Sequence, residues 1–98
     1  MENFEVKTTH TTIKEYAAKD LPLYFKWELG ANPWFYRVRL REGKIVSDLI
    51  KKSTEGYEFS YSTVQSAFDP SNVKIDQDEW RNEMHSFIKQ MSVYSEKS

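Results

Sequence analysis

The sequence predicts an α+β fold: an antiparallel sheet of about four strands in a meander, a short N-terminal helix, and a long C-terminal amphipathic helix packed on one sheet face. Three observations carry this. Apolar residues alternate with period two through 21–29, 34–41 and 57–61. Turn chemistry surrounds Gly30, Gly43 and Gly56, between the candidate strands. Apolar residues then recur at helical spacing from Trp80 onward. Period two buries one face of a strand, and period 3.6 buries one stripe of a helix.

Residues 1–11 are polar and Thr-rich, with Phe4 and Val6 their only large apolar side chains after Met1. They read as a frayed terminus or a short edge strand. Thr12-Ile13-Lys14-Glu15 matches a capping box, and Ile13, Tyr16 and Ala17 fall at helical spacing. One or two helical turns ending near Asp20 are expected. In 21–29, Leu21, Leu23, Phe25, Trp27 and Leu29 alternate with Pro22, Tyr24, Lys26 and Glu28. Pro22 donates no ladder hydrogen bond and belongs at the strand's start or on a sheet edge.

Gly30-Ala31-Asn32-Pro33 is a turn by composition. The second strand, 34–41, turns Tyr36, Val38 and Leu40 one way and Phe35, Arg37, Arg39 and Arg41 the other. A hairpin corner at Glu42-Gly43 pairs Leu40 with Ile45, Val38 with Ser47 and Tyr36 with Leu49. The opposite face then pairs Arg39 with Val46, Arg37 with Asp48 and Phe35 with Ile50. The Arg37–Asp48 juxtaposition is a sensible cross-strand ion pair. A third strand covers 44–51. After the turn Ser53-Thr54-Glu55-Gly56, a fourth carries Tyr57, Phe59 and Tyr61 on one face and extends toward Val64. These three aromatics read as core, packing on Trp80 and Phe87.

Asp69-Pro70-Ser71-Asn72 is a turn, with Asp first and Pro second. Asp76 with Glu79 opens the last helix. Its core stripe is Trp80, Met84, Phe87, Ile88, Met91 and Tyr94. Early acids and late lysines suit the helix dipole. No linker or repeat divides the 98 residues, which read as one domain.

Composition narrows the function classes. Fourteen Lys+Arg against fifteen Asp+Glu leave a net charge of −1, with no strong pull toward nucleic acid or an anionic membrane. Cysteine is absent, which removes disulfides, a thiol nucleophile and thiolate metal sites. The acidic start lacks the character of a signal peptide, and no apolar run approaches the ~18 residues of a membrane helix. A cytoplasmic protein is expected. There is no phosphate-binding glycine loop, no His-Glu-x-x-His and no Gly-x-Ser-x-Gly. His10 and His85 lack a second ligand at metal spacing. Asp69, Asn72, Asp76, Asp78 and Glu79 form an oxygen-rich stretch, but Val73 and Ile75 interrupt it and no Gly bends it, so it reads as a turn and helix cap. Arg81, His85 and Lys89, four residues apart, read as a solvated helix flank. No catalytic residue, cofactor or metal is assigned, and a small enzyme or ligand binder ranks last.

The candidate site is the arginine stripe. Arg37, Arg39 and Arg41 are three of four arginines and share a strand face with Phe35, beside Lys26 and Tyr24 on the neighbouring strand. Aromatics with Arg are what interface centres use. The competing reading is a solvated face neutralised by Glu28, Asp48 and Glu58, or a second face covered by the N-terminal segment through Ile13 and Tyr16. The leading expectation is a non-catalytic protein-interaction module, an inhibitor or adaptor of the kind compact phage or mobile-element genomes encode, with another protein as partner. The alternative is a single-stranded nucleic-acid binder that stacks bases and tracks phosphates on the same face. Homodimerisation through a strand edge is compatible with both.

Overall fold

The computed structural model describes residues 2–7, 13–28 and 32–97. The fold is α+β: a five-stranded antiparallel sheet, a two-stranded hairpin, a short helix and a long C-terminal helix. The elements are β1 (Asn3–Lys7), β2 (Ile13–Ala17), β3 (Leu23–Trp27), β4 (Trp34–Arg41), β5 (Lys44–Ser53), β6 (Gly56–Ser62), α1 (Val64–Ala67), β7 (Val73–Ile75) and α2 (Gln77–Lys97). The large sheet has the order β6-β5-β4-β3-β7. Its first four strands are the predicted meander. β7, three residues between the Asp-Pro turn and the helix cap, adds a fifth strand beside β3.

The β4–β5 register is the one the hairpin chemistry predicts, with Leu40 opposite Ile45, Arg37 opposite Asp48 and Phe35 opposite Ile50. Glu42 (φ 51°) and Gly43 (φ 80°) are both left-handed, the conformation a two-residue turn needs to follow the strand twist. Glycine enters this region without steric cost; Glu42 does not. Pro22 sits just before β3, as expected, behind a cis Leu21–Pro22 bond. Leu29, Gly30, Ala31, Thr12 and His10, on which parts of the predicted strand, turn, capping box and metal reading rest, lie outside the described residues.

The chain wraps the sheet on both faces. From edge strand β6 it crosses one face through α1 and Phe68 and joins the opposite edge as β7. It then returns across the other face as α2. The first face buries Tyr36, Val38 and Leu49 with Ala67 and Phe68. The second buries Tyr24, Phe35, Ile50 and Trp80, flanked by Tyr57, Phe59, Ile75 and Met84. Hence Ser47, Asp48, Leu49 and Ile50 are all buried in a row in β5, a central strand covered on both sides.

The N-terminal segment corrects the predicted helix. Residues 13–17 form β2, paired with β1 in a hairpin, and only Ala18–Asp20 make a single 3₁₀ turn. The apolar side chains decide it. Phe4 stands opposite Tyr16 with their rings stacked at 5.7 Å, and Tyr16 lies 4.4 Å from the Phe68 ring. With Val6 buried at their side, the hairpin covers the Tyr36–Val38 face, and that burial outweighs a weak local helix preference.

α2 starts as predicted, with the Glu79 N–H donating to Asp76 Oδ1 at 2.8 Å. Its stripe is only partly covered. Trp80 is buried and Met84 and Phe87 are half-buried, but Ile88 and Met91 are exposed; the Tyr94 side chain lies outside the described residues. Five strands span only about 24 Å, whereas 21 residues of helix extend about 31 Å, so α2 outruns the sheet. At Gln90 it is already over β6. The Tyr57 N–H donates to Gln90 Oε1 at 2.8 Å, and Gln90 Nε2 donates to the Tyr57 carbonyl at 3.0 Å. The side-chain amide thus occupies the outer edge of β6 as a neighbouring strand would. Gly56 makes room for it: a Cβ there would collide with the Gln90 amide, and φ is +129°.

Candidate interaction surface

The six residues of the predicted surface share one sheet face, but α2 divides them. Phe35 (2% exposed) and Tyr24 (8%) lie under Trp80 in the core. An exposed Phe35 is therefore corrected, and so is the identity of the cover. The C-terminal helix seals this half of the face, while the N-terminal segment lies on the opposite one and leaves Ile13 exposed. Lys26 is held by Glu28 (3.7 Å) and Glu79 (3.4 Å) and lies near the Phe35 ring.

Arg37 and Arg39 clasp Asp48. Arg37 Nε and Nη2 each lie 2.8 Å from Asp48 Oδ2. Arg39 donates from Nε to Oδ2 at 2.6 Å and from Nη2 to Oδ1 at 3.2 Å. The Asp48 side chain is fully buried while both arginine side chains keep over a quarter of their surface in water. Burial pushes the Asp48 carboxyl up, but hydrogen bonds from Arg39 and Arg37 and their charges act more strongly and hold it below the usual carboxylate range. The Arg37 guanidinium also lies over the Trp80 ring, 5.2 Å from its centre. It closes the rim of the core under α2. Of the acids expected to neutralise the stripe, Asp48 does so. Glu28 serves Lys26, and Glu58 stands opposite Lys51, on the other face of the sheet.

Beyond Arg37 the same face is open. Arg39 is partly exposed and Arg41 exposed. Val46 lies opposite Arg39, and Tyr61 opposite Asp48. Tyr61 is 64% exposed, which corrects its assignment to the core, while its strand neighbour Phe59 packs against Phe87. Arg41, Val46 and Tyr61 border a shallow cleft at the end of β4, β5 and β6. Tyr61 was legible in principle. Continuing the strand register across the 53–56 turn sets it opposite Asp48, on the arginine face; that α2 stops short of it there depends on where the helix lands.

Among the described residues, no three His, Cys, Asp or Glu side chains gather to hold a metal ion. No helix there is long and apolar enough to cross a membrane. Comparison with protein-family models, with curated proteins and with solved structures finds no match.

Proposed function

We propose that the protein is a small non-catalytic interaction module, an inhibitor or adaptor acting in the cytoplasm, that docks another protein on the open end of its arginine face. The surface comprises Arg39, Arg41, Val46 and Tyr61. The observation that carries this reading is the exposure of Tyr61 beside two arginines on a rigid central sheet. A large amphipathic ring costs little conformational entropy to immobilise, and Tyr and Arg are enriched where binding energy concentrates. Asp48 fixes the Arg39 fork in advance, which lowers the ordering cost of binding.

The nucleic-acid reading is less favoured. Stacking successive bases needs several exposed rings, and with Phe35 and Tyr24 enclosed by α2, Tyr61 remains as the exposed ring described on this face. Two of the three strand arginines already spend charge on Asp48.

Affinity capture from host lysate, with and without nuclease and at low and moderate salt, separates the two. The expected result is a protein that survives nuclease and moderate salt and is lost with Tyr61→Ala. Nucleic acid retained at low salt and released at moderate salt overturns the protein reading, since counterion release dominates phosphate contacts.

A further inference from the structure

On the opposite sheet face, at the connected end of the β3–β4 hairpin, lies a cavity of about 150 Å³ lined by Trp27, Trp34, Tyr36, Asp69 and Asn72, with two serines. It is independent of the arginine face. Trp27 and Trp34 are cross-strand partners with ring centres 5.1 Å apart and planes at 57°, so they form two walls of a corner. Tyr36 is 5% exposed. The volume is well below the ~300 Å³ of a drug-sized pocket but holds a group the size of about five water molecules.

The polar atoms around it are arranged one-sidedly. The Ser71 N–H and hydroxyl both donate to Asp69 Oδ1, at 2.9 and 2.6 Å. Asn72 Nδ2 donates to the carbonyls of Ser66 and Ala67, at 2.9 and 2.8 Å. The loop thus spends its donors internally. Asp69 Oδ2 and Asn72 Oδ1 accept nothing from the described residues. What remains is carboxylate and amide oxygen beside electron-rich ring faces, an environment that suits a donor-bearing cation and offers little to an anion. The chain supplies an example: Lys51, opposite Trp34 on β5, holds its ammonium 4.7 Å from the centre of the Trp34 ring. Ser71 keeps the Asp69 carboxyl below its ordinary pKa, so the carboxylate is charged near neutrality.

We propose that this cavity binds the head group of an organic cation, a primary ammonium or a guanidinium, between Trp27, Trp34 and Tyr36, with Asp69 Oδ2 and Asn72 Oδ1 accepting its N–H groups. The same chemistry is carried by a free small amine and by the end of a lysine or arginine side chain.

The test follows the three indole N–H resonances in ¹H–¹⁵N spectra of the full chain. Probes are n-butylammonium chloride and methylguanidinium chloride, with sodium chloride at matched ionic strength and n-butanol as controls. The expected result is a saturable shift of the Trp27 and Trp34 resonances, with Kd on the order of 1–10 mM for so small a ligand, and no shift of Trp80. Asp69→Asn, at an exposed position, should leave the melting temperature nearly unchanged and weaken binding at least about fivefold. Trp34→Ala should abolish it; if that variant fails to fold, Asp69→Asn alone decides. No saturable shift, an equal response to n-butanol, or unchanged affinity in Asp69→Asn overturns the proposal. Lysine and arginine blocked at both ends distinguish the sources. Binding tighter than that of the free amines points to a protein side chain; weaker binding points to a small metabolite.

Discussion

The two halves of the arginine face are built from the same strands with the same parity, yet one is core and the other is surface. In the covered half, Phe35 and Ile50 lie beneath Trp80, and Lys26 is tied to Glu79 at the helix start. In the open half, Val46 and Tyr61 occupy equivalent positions with no helix above them. The boundary is the Arg37–Asp48–Arg39 cluster, whose carboxylate is buried and whose guanidiniums reach in both directions, one toward Trp80 and one toward solvent. Strand alternation assigns a side chain to a face. Whether that face is buried at a given rung depends on where another element lands.

Substitutions should separate the halves by size of effect. Trp80→Ala removes the largest side chain of the covered half and should cost about 3–5 kcal/mol, read by urea unfolding. A loss below about 1 kcal/mol would mean that α2 is not packed as described.

Asp48→Ala leaves two guanidiniums without their counter-charge, but both are partly hydrated, so the expected loss is about 2–3 kcal/mol. The cluster also sets an acid dependence. Asp48 titrates lower in the folded state than in the unfolded chain. Its contribution is therefore fully present above the unfolded value of about 3.9 and is lost as pH falls through the folded value. Wild type should lose stability below about pH 4 more steeply than Asp48→Asn. Parallel curves for the two proteins would remove Asp48 from the account.

Gln90→Ala withdraws the amide that covers the outer edge of β6 and should cost about 1–2 kcal/mol. Hydrogen exchange should accelerate at the Tyr57 amide and much less at Ile50.

Tyr61→Ala, in the open half, should change stability by no more than about 0.5 kcal/mol, because the ring is mostly in water. A loss above about 2 kcal/mol would place Tyr61 in the core.

Most of the meander was legible because its signals are local. The two-residue turn at Glu42-Gly43 fixes every pair along β4–β5, and a period of two assigns faces without knowledge of the rest of the chain. The helix start was legible through Asp76 for the same reason. What depended on distant contacts was not. Ile13-Lys14-Glu15-Tyr16-Ala17 becomes a strand because Phe4 and Phe68 meet Tyr16, twelve and fifty-two residues away. β7 is three residues long, too short for alternation to register, and exists because β3 offers a free edge. The candidate site suffered from the same limit. Its residues were placed on the correct face, but the landing of α2 on Phe35 rather than on Tyr36 could not be read from parity when both faces carry aromatics. The Trp27–Trp34 corner also needed the turn at 69–72 brought against it.

The central claim is that the open half of the arginine face meets a partner while the covered half holds the fold. Side-by-side affinity capture from nuclease-treated host lysate tests it most directly, using wild type and the Tyr61→Ala/Arg41→Glu double variant. The account predicts a protein retained by wild type and reduced at least about tenfold by a variant that unfolds at the same urea concentration. The same proteins retained equally by both would contradict it.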